Sequence, residues 1–173
     1  MFSNRARILL IGALAILAAL SYNWHEPEIT AVIAMFILLM IWGFFKEGTI
    51  IIAAKSFHKK DYDRTEHLLN QVIRPEWLSK KRRGFYEFIM GGVALQKQDF
   101  TEAEKHYELA AQFPMRSAND HVAALGHVVN INIRQGNYEK AKAYLQLADK
   151  YEDKTNAKMK EVIKRLHEEL KDK

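Results

Sequence analysis

Seven histidines are the side chains best suited to metal binding or proton transfer, but their spacing favours neither role. They are His25, His58, His67, His106, His121, His127 and His167. A helical zinc site of the H-E-x-x-H type needs a second histidine, which His167-Glu168-Glu169 lacks. His121 and His127 are six residues apart, about 120° off one helical face. We therefore expect no metal-binding residue, and ordinary surface or groove histidines instead.

Other catalytic patterns are missing from the sequence as well. The 173 residues include no cysteine, which excludes disulfides, thiolate metal sites and cysteine nucleophiles. Gly91-Gly92 lacks the G-x-x-x-x-G-K-[ST] surroundings of a phosphate loop, and close packing of helices explains it. The carboxylates are scattered rather than paired for acid–base work. The sequence thus predicts no enzyme, no catalytic residue and no cofactor.

Charge is distributed unevenly along the chain. The first 45 residues contain only four charged side chains, Arg5, Arg7, Glu26 and Glu28. Two uncharged runs of 17 residues follow Arg7 and Glu28, Ile8–Trp24 and Ile29–Phe45. A bilayer core of ~30 Å needs about 20 apolar residues, with ~17 at the short end. The runs predict a transmembrane hairpin; two buried core helices, or a cleaved signal peptide in place of the first run, are the alternatives.

The basic residues around this hairpin predict its orientation. Arg5 and Arg7 precede the first run, the loop between the runs is acidic, and Lys46 and Lys55 follow the second. The positive-inside rule then places both termini in the cytoplasm. We expect a multi-pass protein of a bacterial inner membrane, with a membrane anchor at residues 1–45 and a cytoplasmic domain at residues 46–173.

The second domain repeats with a period of 38 residues. Segments beginning at Lys60, Gln98 and Gly136 align with one another, each with an Asp or Asn followed by an aromatic residue. Apolar positions before and after the segments also coincide. This pattern predicts two helices per unit, joined by a turn whose Asp or Asn caps the second helix.

At these residues the chain resembles the tetratricopeptide repeat (TPR) family. The family pattern has a small residue on the first helix, a turn like Gly-Asn-Tyr, two Ala positions on the second helix and a closing Pro. The second unit matches best, with Gly91, Asp99-Phe100, Ala103, Tyr107, Ala110 and Pro114. The resemblance covers about residues 47–152. It implies a solenoid whose first helices line a groove for protein or peptide partners.

The sequence accordingly predicts an all-α fold: a two-helix transmembrane hairpin, then a short α-solenoid of about three TPR-like helix pairs and a C-terminal capping helix. The predicted helices lie at about 47–59, 62–73, 82–97, 101–112, 118–135, 139–151 and 156–171. The last one carries an apolar stripe, formed by Met159, Val162, Ile163, Leu166 and Leu170. Such a stripe is typical of the helix that closes the apolar end of a solenoid.

The first candidate binding surface is the groove. Its candidate residues are Phe85, Phe88, Leu95, Asn130, Ile133 and Arg134. Asn130 and Arg134 are four residues apart and share a helical face. The resemblance implies that Asn with a basic residue can bind a peptide carboxylate there. We expect a segment with a hydrophobic anchor and an acidic or C-terminal carboxylate end, the alternative being ordinary polar filling of a groove.

The second candidate surface is an edge at the start of the second unit. Its residues are Trp77, Leu78, Lys80, Lys81, Arg82 and Arg83. Apolar side chains beside positive charge suit an anionic lipid surface. Alternatively, Trp77 and Leu78 cap the core between units. A nucleic-acid partner is not predicted, because the net charge of +5 is modest and no nucleic-acid motif is present.

Together these features predict a membrane-anchored TPR scaffold or adaptor that binds a protein partner at the cytoplasmic face of the inner membrane and contacts the lipid bilayer. The alternative is an accessory or assembly subunit of a larger membrane complex, such as a translocon, respiratory or envelope machine. In that alternative the transmembrane helices make the main contact.

Overall fold

The computed structural model describes residues 4–72, 74–171 and 173, and every regular element in them is helical. The α-helices are α1 (Asn4–Asn23), α2 (Pro27–His58), α3 (Tyr62–Asn70), α4 (Lys80–Gln96), α5 (Phe100–Gln112), α6 (Ala118–Gln135), α7 (Tyr138–Asp149) and α8 (Ala157–Leu170). Short 3-10 turns lie at Pro75–Trp77 and Glu152–Lys154. The predicted all-α class is confirmed. One predicted helix ended at Ile73, which lies outside the described residues.

The chain divides into two units, Met1–Ile52 and Ala53–Lys173. The domain boundary predicted at 45/46 stays a prediction. In the N-terminal unit, α1 turns into α2 through His25, whose backbone is left-handed with φ 60°. The Thr30 hydroxyl donates to the Glu26 carbonyl at 3.0 Å and lies 3.1 Å from the buried Ser21 hydroxyl. Elsewhere on both helices, large apolar side chains such as Leu9 and Leu38 are exposed.

The predicted transmembrane hairpin is wrong. No helix in the described part of the chain combines the length and the hydropathy that a bilayer crossing requires. Each uncharged run has only 17 residues, the short end of the range that can cross the ~30 Å hydrocarbon core. The inner-membrane location, and the cytoplasmic placement of both termini that depended on it, are corrected with it.

The 38-residue period of the C-terminal unit has a backbone signature. Lys60, Gln98 and Gly136 all adopt the left-handed conformation, with φ of 62°, 63° and 76°. Each is followed by the N-cap of a helix, and the Asp61 and Asp99 carboxylates accept hydrogen bonds from the Arg64 and Glu102 amides. The turn thus has the same backbone conformation in each unit, as the sequence alignment predicts. In the third unit, however, the N-cap residue Asn137 forms no side-chain cap hydrogen bond, so the predicted Asn cap is wrong there.

The same register places small residues between the paired helices. The equivalent positions Thr65, Ala103 and Ala141 are fully buried. In Thr65, the hydroxyl donates to the Asp61 carbonyl at 2.6 Å and lies 3.4 Å from the Ala53 carbonyl. A hydroxyl can therefore replace the alanine methyl of the other units without leaving an unsatisfied buried donor.

Gly91 and Gly92 lie at a close approach of helices, as expected from the sequence. A Cβ atom on Gly91 would lie 3.1 Å from three carbons of the Tyr107 ring. A Cβ atom on Gly92 would lie 2.5 Å from the end of the Phe57 ring. The Gly92 contact would overlap the Phe57 ring, and the Gly91 contact is tighter than most Cβ contacts, so glycine allows the neighbouring helices to reach their observed separation without displacing these rings.

Helix α8 covers the last helix pair. Its apolar stripe, including Ile163, Leu166 and Leu170, forms one buried cluster with side chains of α6 and α7 such as Leu125 and Leu145. The charged residues of α8 that flank the stripe, for example Lys160 and Glu168, are exposed. The helix thus removes from water an apolar face that the third pair cannot bury alone.

The left-handed turn position gives a reciprocal stability test. Gln98→Gly removes the steric cost of a side chain at positive φ, so we expect the free energy of unfolding to rise by up to about 1 kcal/mol. Gly136→Gln introduces the same steric cost in the third unit and should lower the free energy of unfolding by a similar amount. Urea unfolding of both variants checks the pair; changes of the same sign would contradict the shared turn geometry.

Close packing at Gly92 gives a second test. Gly92→Ala should lower the free energy of unfolding by about 1–3 kcal/mol, because the added methyl group overlaps Phe57. Adding Phe57→Leu should reduce that loss. The matched control is Gly126→Ala, where a Cβ atom meets only Leu166, at an ordinary 3.7 Å. Thermal unfolding of these three variants and of Phe57→Leu alone measures the coupling, and a Gly92→Ala protein as stable as the control would refute the contact.

Candidate protein-binding groove

A cavity of about 680 Å³ lies in the C-terminal unit among side chains of four helices. Its lining includes Leu95 of α4, Phe100 of α5, His127, Asn130 and Arg134 of α6, and Arg165 of α8. Helix α6 provides several of these side chains because positions 127, 130, 131 and 134 follow helical spacing along one face. The cavity combines apolar, amide and cationic groups, a composition suited to a peptide.

Beneath the cavity lies an aromatic cluster centred on Tyr107. The His127 ring stacks on the Tyr107 ring with centroids 4.5 Å apart and an interplanar angle of 17°. Phe88 meets Tyr107 edge-on at 5.6 Å. Burial raises the pKa of the Tyr107 hydroxyl and lowers the pKa of the His127 imidazole. His127 is therefore neutral near pH 7 and adds a flat, largely apolar surface to the groove.

The charged side chains of the cavity are both arginines. The Arg134 guanidinium lies 5.9 Å from the centre of the Phe100 ring, and both Arg134 and Arg165 are exposed. The side chains that line the cavity include neither Asp nor Glu. In the described part of the chain, neither guanidinium forms an ion pair. The groove therefore carries uncompensated positive charge beside an apolar wall.

The structure brings together part of the predicted groove set. Leu95, Asn130 and Arg134 line the cavity, and Phe88 supports it from below through Tyr107 and His127. Ile133 packs instead against the core cluster of α6, α7 and α8. Phe85 is half-buried on α4 and does not line the cavity.

The predicted groove set lacks six lining residues: Gln96, Gln98, Phe100, His127, Ile131 and Arg165. Phe100 was recognised only as the aromatic residue of the turn, yet the same side chain faces Arg134. Arg165 is one of several cations on α8, and no local pattern distinguishes it from Lys160 or Lys164. Only the packing of α8 on α6 brings it to the groove.

The predicted basic edge is partly an internal ion-pair network. Glu87 is only 1% exposed, and its carboxylate oxygens lie 2.6 Å from Arg83 Nε and 2.6 Å from His106 Nδ1. Leu78 is buried, whereas Trp77 is 61% exposed with the Arg74 guanidinium 4.7 Å from its ring. The positive charge of Arg83 is thus compensated within the fold.

The other basic residues of that edge are Lys80, Lys81 and Arg82. Both lysines are exposed, and Arg82 is half-buried. The expected contact of this edge with an anionic lipid surface stays a prediction.

Comparison with known families identifies the fold. The family described as the SusR N-terminal TPR domain matches residues 45–163, more than half of the chain. The chain belongs to this TPR family. The matched range includes α3 to α7 and part of α8, so the groove lies on TPR helices and the helix that follows them. No curated protein and no solved structure matches the chain.

The buried imidazole of this TPR groove makes stability depend on pH. Because the folded pKa of His127 is lowered, the unfolded chain takes up a proton first as the pH falls below about 6.5. The free energy of unfolding should therefore decrease between about pH 7 and pH 5. Urea unfolding at several pH values should show a smaller decrease of the free energy of unfolding in His127→Phe. This variant keeps a ring that can stack on Tyr107 but has no imidazole to protonate. His121 has a pKa lowered by burial too, so some decrease should persist. An equally steep decrease in the variant would contradict the argument.

Proposed function

We propose that this protein is a non-enzymatic scaffold that binds a protein partner through the groove lined by α4 and α6. TPR domains generally act through protein–protein interaction, which supports the general class. The observation that carries the specific proposal is the cavity of about 680 Å³, which joins an apolar wall to two arginines that form no ion pair with any residue the structure describes. Its lining offers no nucleophile–base pair, and the only imidazole there is stacked on Tyr107.

The groove residues favour an extended peptide segment with a hydrophobic anchor. Leu95 and Phe100 supply an apolar wall, and the His127 ring lies on the α6 side. Asn130 and Arg134 are one helical turn apart on α6, so an amide and a guanidinium can contact neighbouring groups of one ligand. An apolar side chain of the bound peptide would pack against Leu95 and Phe100, while a polar group of the same peptide would contact α6. We take residues 46–173 as the binding domain.

A second candidate function uses the N-terminal unit. Large apolar side chains of α1 and α2, including Ile16, Phe36 and Trp42, are more than one third exposed. Extended apolar surface usually marks an interaction site. In this alternative the protein is an accessory or assembly subunit of a larger complex, and a partner covers these helices while the groove plays no part in assembly.

Partner recovery by charge-reversal variants distinguishes these functions. Arg134→Glu in the full-length tagged chain should reduce recovery of the co-purifying partner at least several-fold, because the groove then repels an acidic segment. The melting temperature should stay nearly unchanged, since Arg134 is exposed. Lys160→Glu, an equal charge change on α8 away from the cavity, is the control.

The alternative function predicts the opposite result for partner recovery. If Leu38→Gln on the exposed face of α2 abolishes recovery while Arg134→Glu leaves it intact, the accessory-subunit function is favoured and the groove is excluded.

A further inference from the structure

We propose that the surface formed by α7 and α8 is a second docking site, which binds an acidic helix of a partner protein. This site is separate from the groove, because the two sets of lining side chains have no residue in common. The inference rests on the way in which successive helix pairs contact each other, and it does not depend on the proposed groove function.

Helix α8 occupies the position of the first helix of a fourth pair. Its residue Leu166 lies one 38-residue period after Val128 of α6, and both side chains are buried. The next residue of each helix behaves differently. Val129 of α6 is fully buried in a cluster with α7, whereas its equivalent in α8, His167, is exposed. Helix α8 thus offers another helix a polar face where α6 offers an apolar one.

A cavity of about 470 Å³ lies between α7 and α8, and of the described helices only these two line it. Its floor is apolar, because the lining includes Leu145 and Leu170, which are buried. The polar part of the lining includes Lys142 and Gln146 of α7 and Lys164 and Lys171 of α8. The cavity therefore combines a small apolar floor with a cationic rim.

The preceding unit shows what occupies the equivalent place in the stack. There, α7 packs beside α5 and α6, and its Lys140 ammonium lies 2.6 Å from Glu104 and 2.8 Å from Glu108 of α5. One turn further along α7, Tyr144 packs against the buried clusters on both sides. A docked helix thus meets the preceding pair with one charged and one aromatic side chain, four residues apart.

The position that makes this contact has the opposite charge in the third unit. Glu66 of α3 contacts Lys97 of the second unit. Its equivalent in α5, Glu104, contacts Lys140 of the third unit. The next residue in this series is Lys142 of α7. A helix that docks beside Lys142 therefore needs a carboxylate at the position that Lys140 occupies in α7.

The surroundings of Lys142 offer little internal compensation for its charge. The Glu139 carboxylate lies 3.3 Å from the ammonium, but its side chain is 93% exposed, so this pair is weak. Among the described residues, the cavity lining contains three lysines and a single acidic side chain, Glu168. Asp149 is engaged elsewhere, 2.9 Å from the His167 ring nitrogen. The excess of positive charge favours an acidic partner.

The probe for this site is a helical peptide that copies α7, residues 138–149, with Lys140 replaced by Glu. A hydrocarbon staple joins positions 139 and 143, which are exposed in α7. The matched control peptide keeps the lysine. Fluorescence anisotropy measures the binding of each peptide to the full-length chain. We expect the Glu peptide to bind several-fold more tightly than the Lys peptide, because its carboxylate meets Lys142.

A charge swap in the protein tests whether Lys142 makes the contact. Lys142→Glu should raise the Kd of the Glu peptide about threefold or more and lower the Kd of the Lys peptide, because each pairing then changes sign. Lys164→Gln should also weaken binding of the Glu peptide. Lys158→Gln, which removes an exposed charge of α8 outside the cavity lining, should leave both Kd values within about twofold.

Three results would overturn the docking site. The first is no binding of the Glu peptide at ~1 mM, and the second is a Kd that Lys142→Glu leaves unchanged. The third is loss of binding in Arg134→Glu, which would place the peptide in the groove instead. Partner recovery with Arg134→Glu tests the groove function separately, so either proposal can fail while the other stands.

Discussion

The ring of Tyr107 is the contact on which the repeat stack depends. It comes from α5, takes up the space that a side chain at Gly91 of α4 would fill, and stacks on His127 of α6 at 4.5 Å. One fully buried ring thus sets the separation of three helices. Because His127 also lines the candidate groove, the stacking on Tyr107 holds one side chain of the groove lining in place.

Polar contacts add specificity to this apolar framework rather than most of its stability. The Lys140 pairs with Glu104 and Glu108 join α7 to α5, and they raise the pKa of the ammonium. Such partly exposed pairs usually contribute at most ~1 kcal/mol each. The Glu87 carboxylate differs because it is buried, so Arg83 and His106 are needed to offset its desolvation. These contacts fix the register in which neighbouring helices meet.

Local features of the sequence are sufficient to predict the repeat. The left-handed positions Lys60, Gln98 and Gly136 recur at the predicted period because a turn and its N-cap are encoded by adjacent residues. Most predicted helix ends lie within two residues of the observed ones for the same reason. The 17-residue runs were misinterpreted because a bilayer crossing needs sufficient length and sufficient hydropathy in the same helix, and no described helix combines the two.

Features that depend on distant packing could not be predicted. Arg83 was assigned to an exposed basic edge because a run of four cationic residues is typical of a protein surface. In the fold, Arg83 and His106 both contact the Glu87 carboxylate, and His106 comes from a different helix. Ile133 follows the groove register of the repeat, yet α8 covers that side and draws it into the core. Arg165 reaches the groove through the same docking of α8. Each case involves residues of different helices, for which single-helix patterns carry no information.

The central claim is that Tyr107 joins α4, α5 and α6 beneath the groove. The most direct measurement is nuclear Overhauser spectroscopy of the full-length protein with the Tyr107 and His127 rings selectively labelled. The account predicts strong cross-peaks from the Gly91 α-protons to the Tyr107 ring and from that ring to His127. It also predicts an upfield shift of the Gly91 α-protons, caused by the ring current. A folded protein that lacks both cross-peaks and shows an ordinary Gly91 shift would contradict the claim.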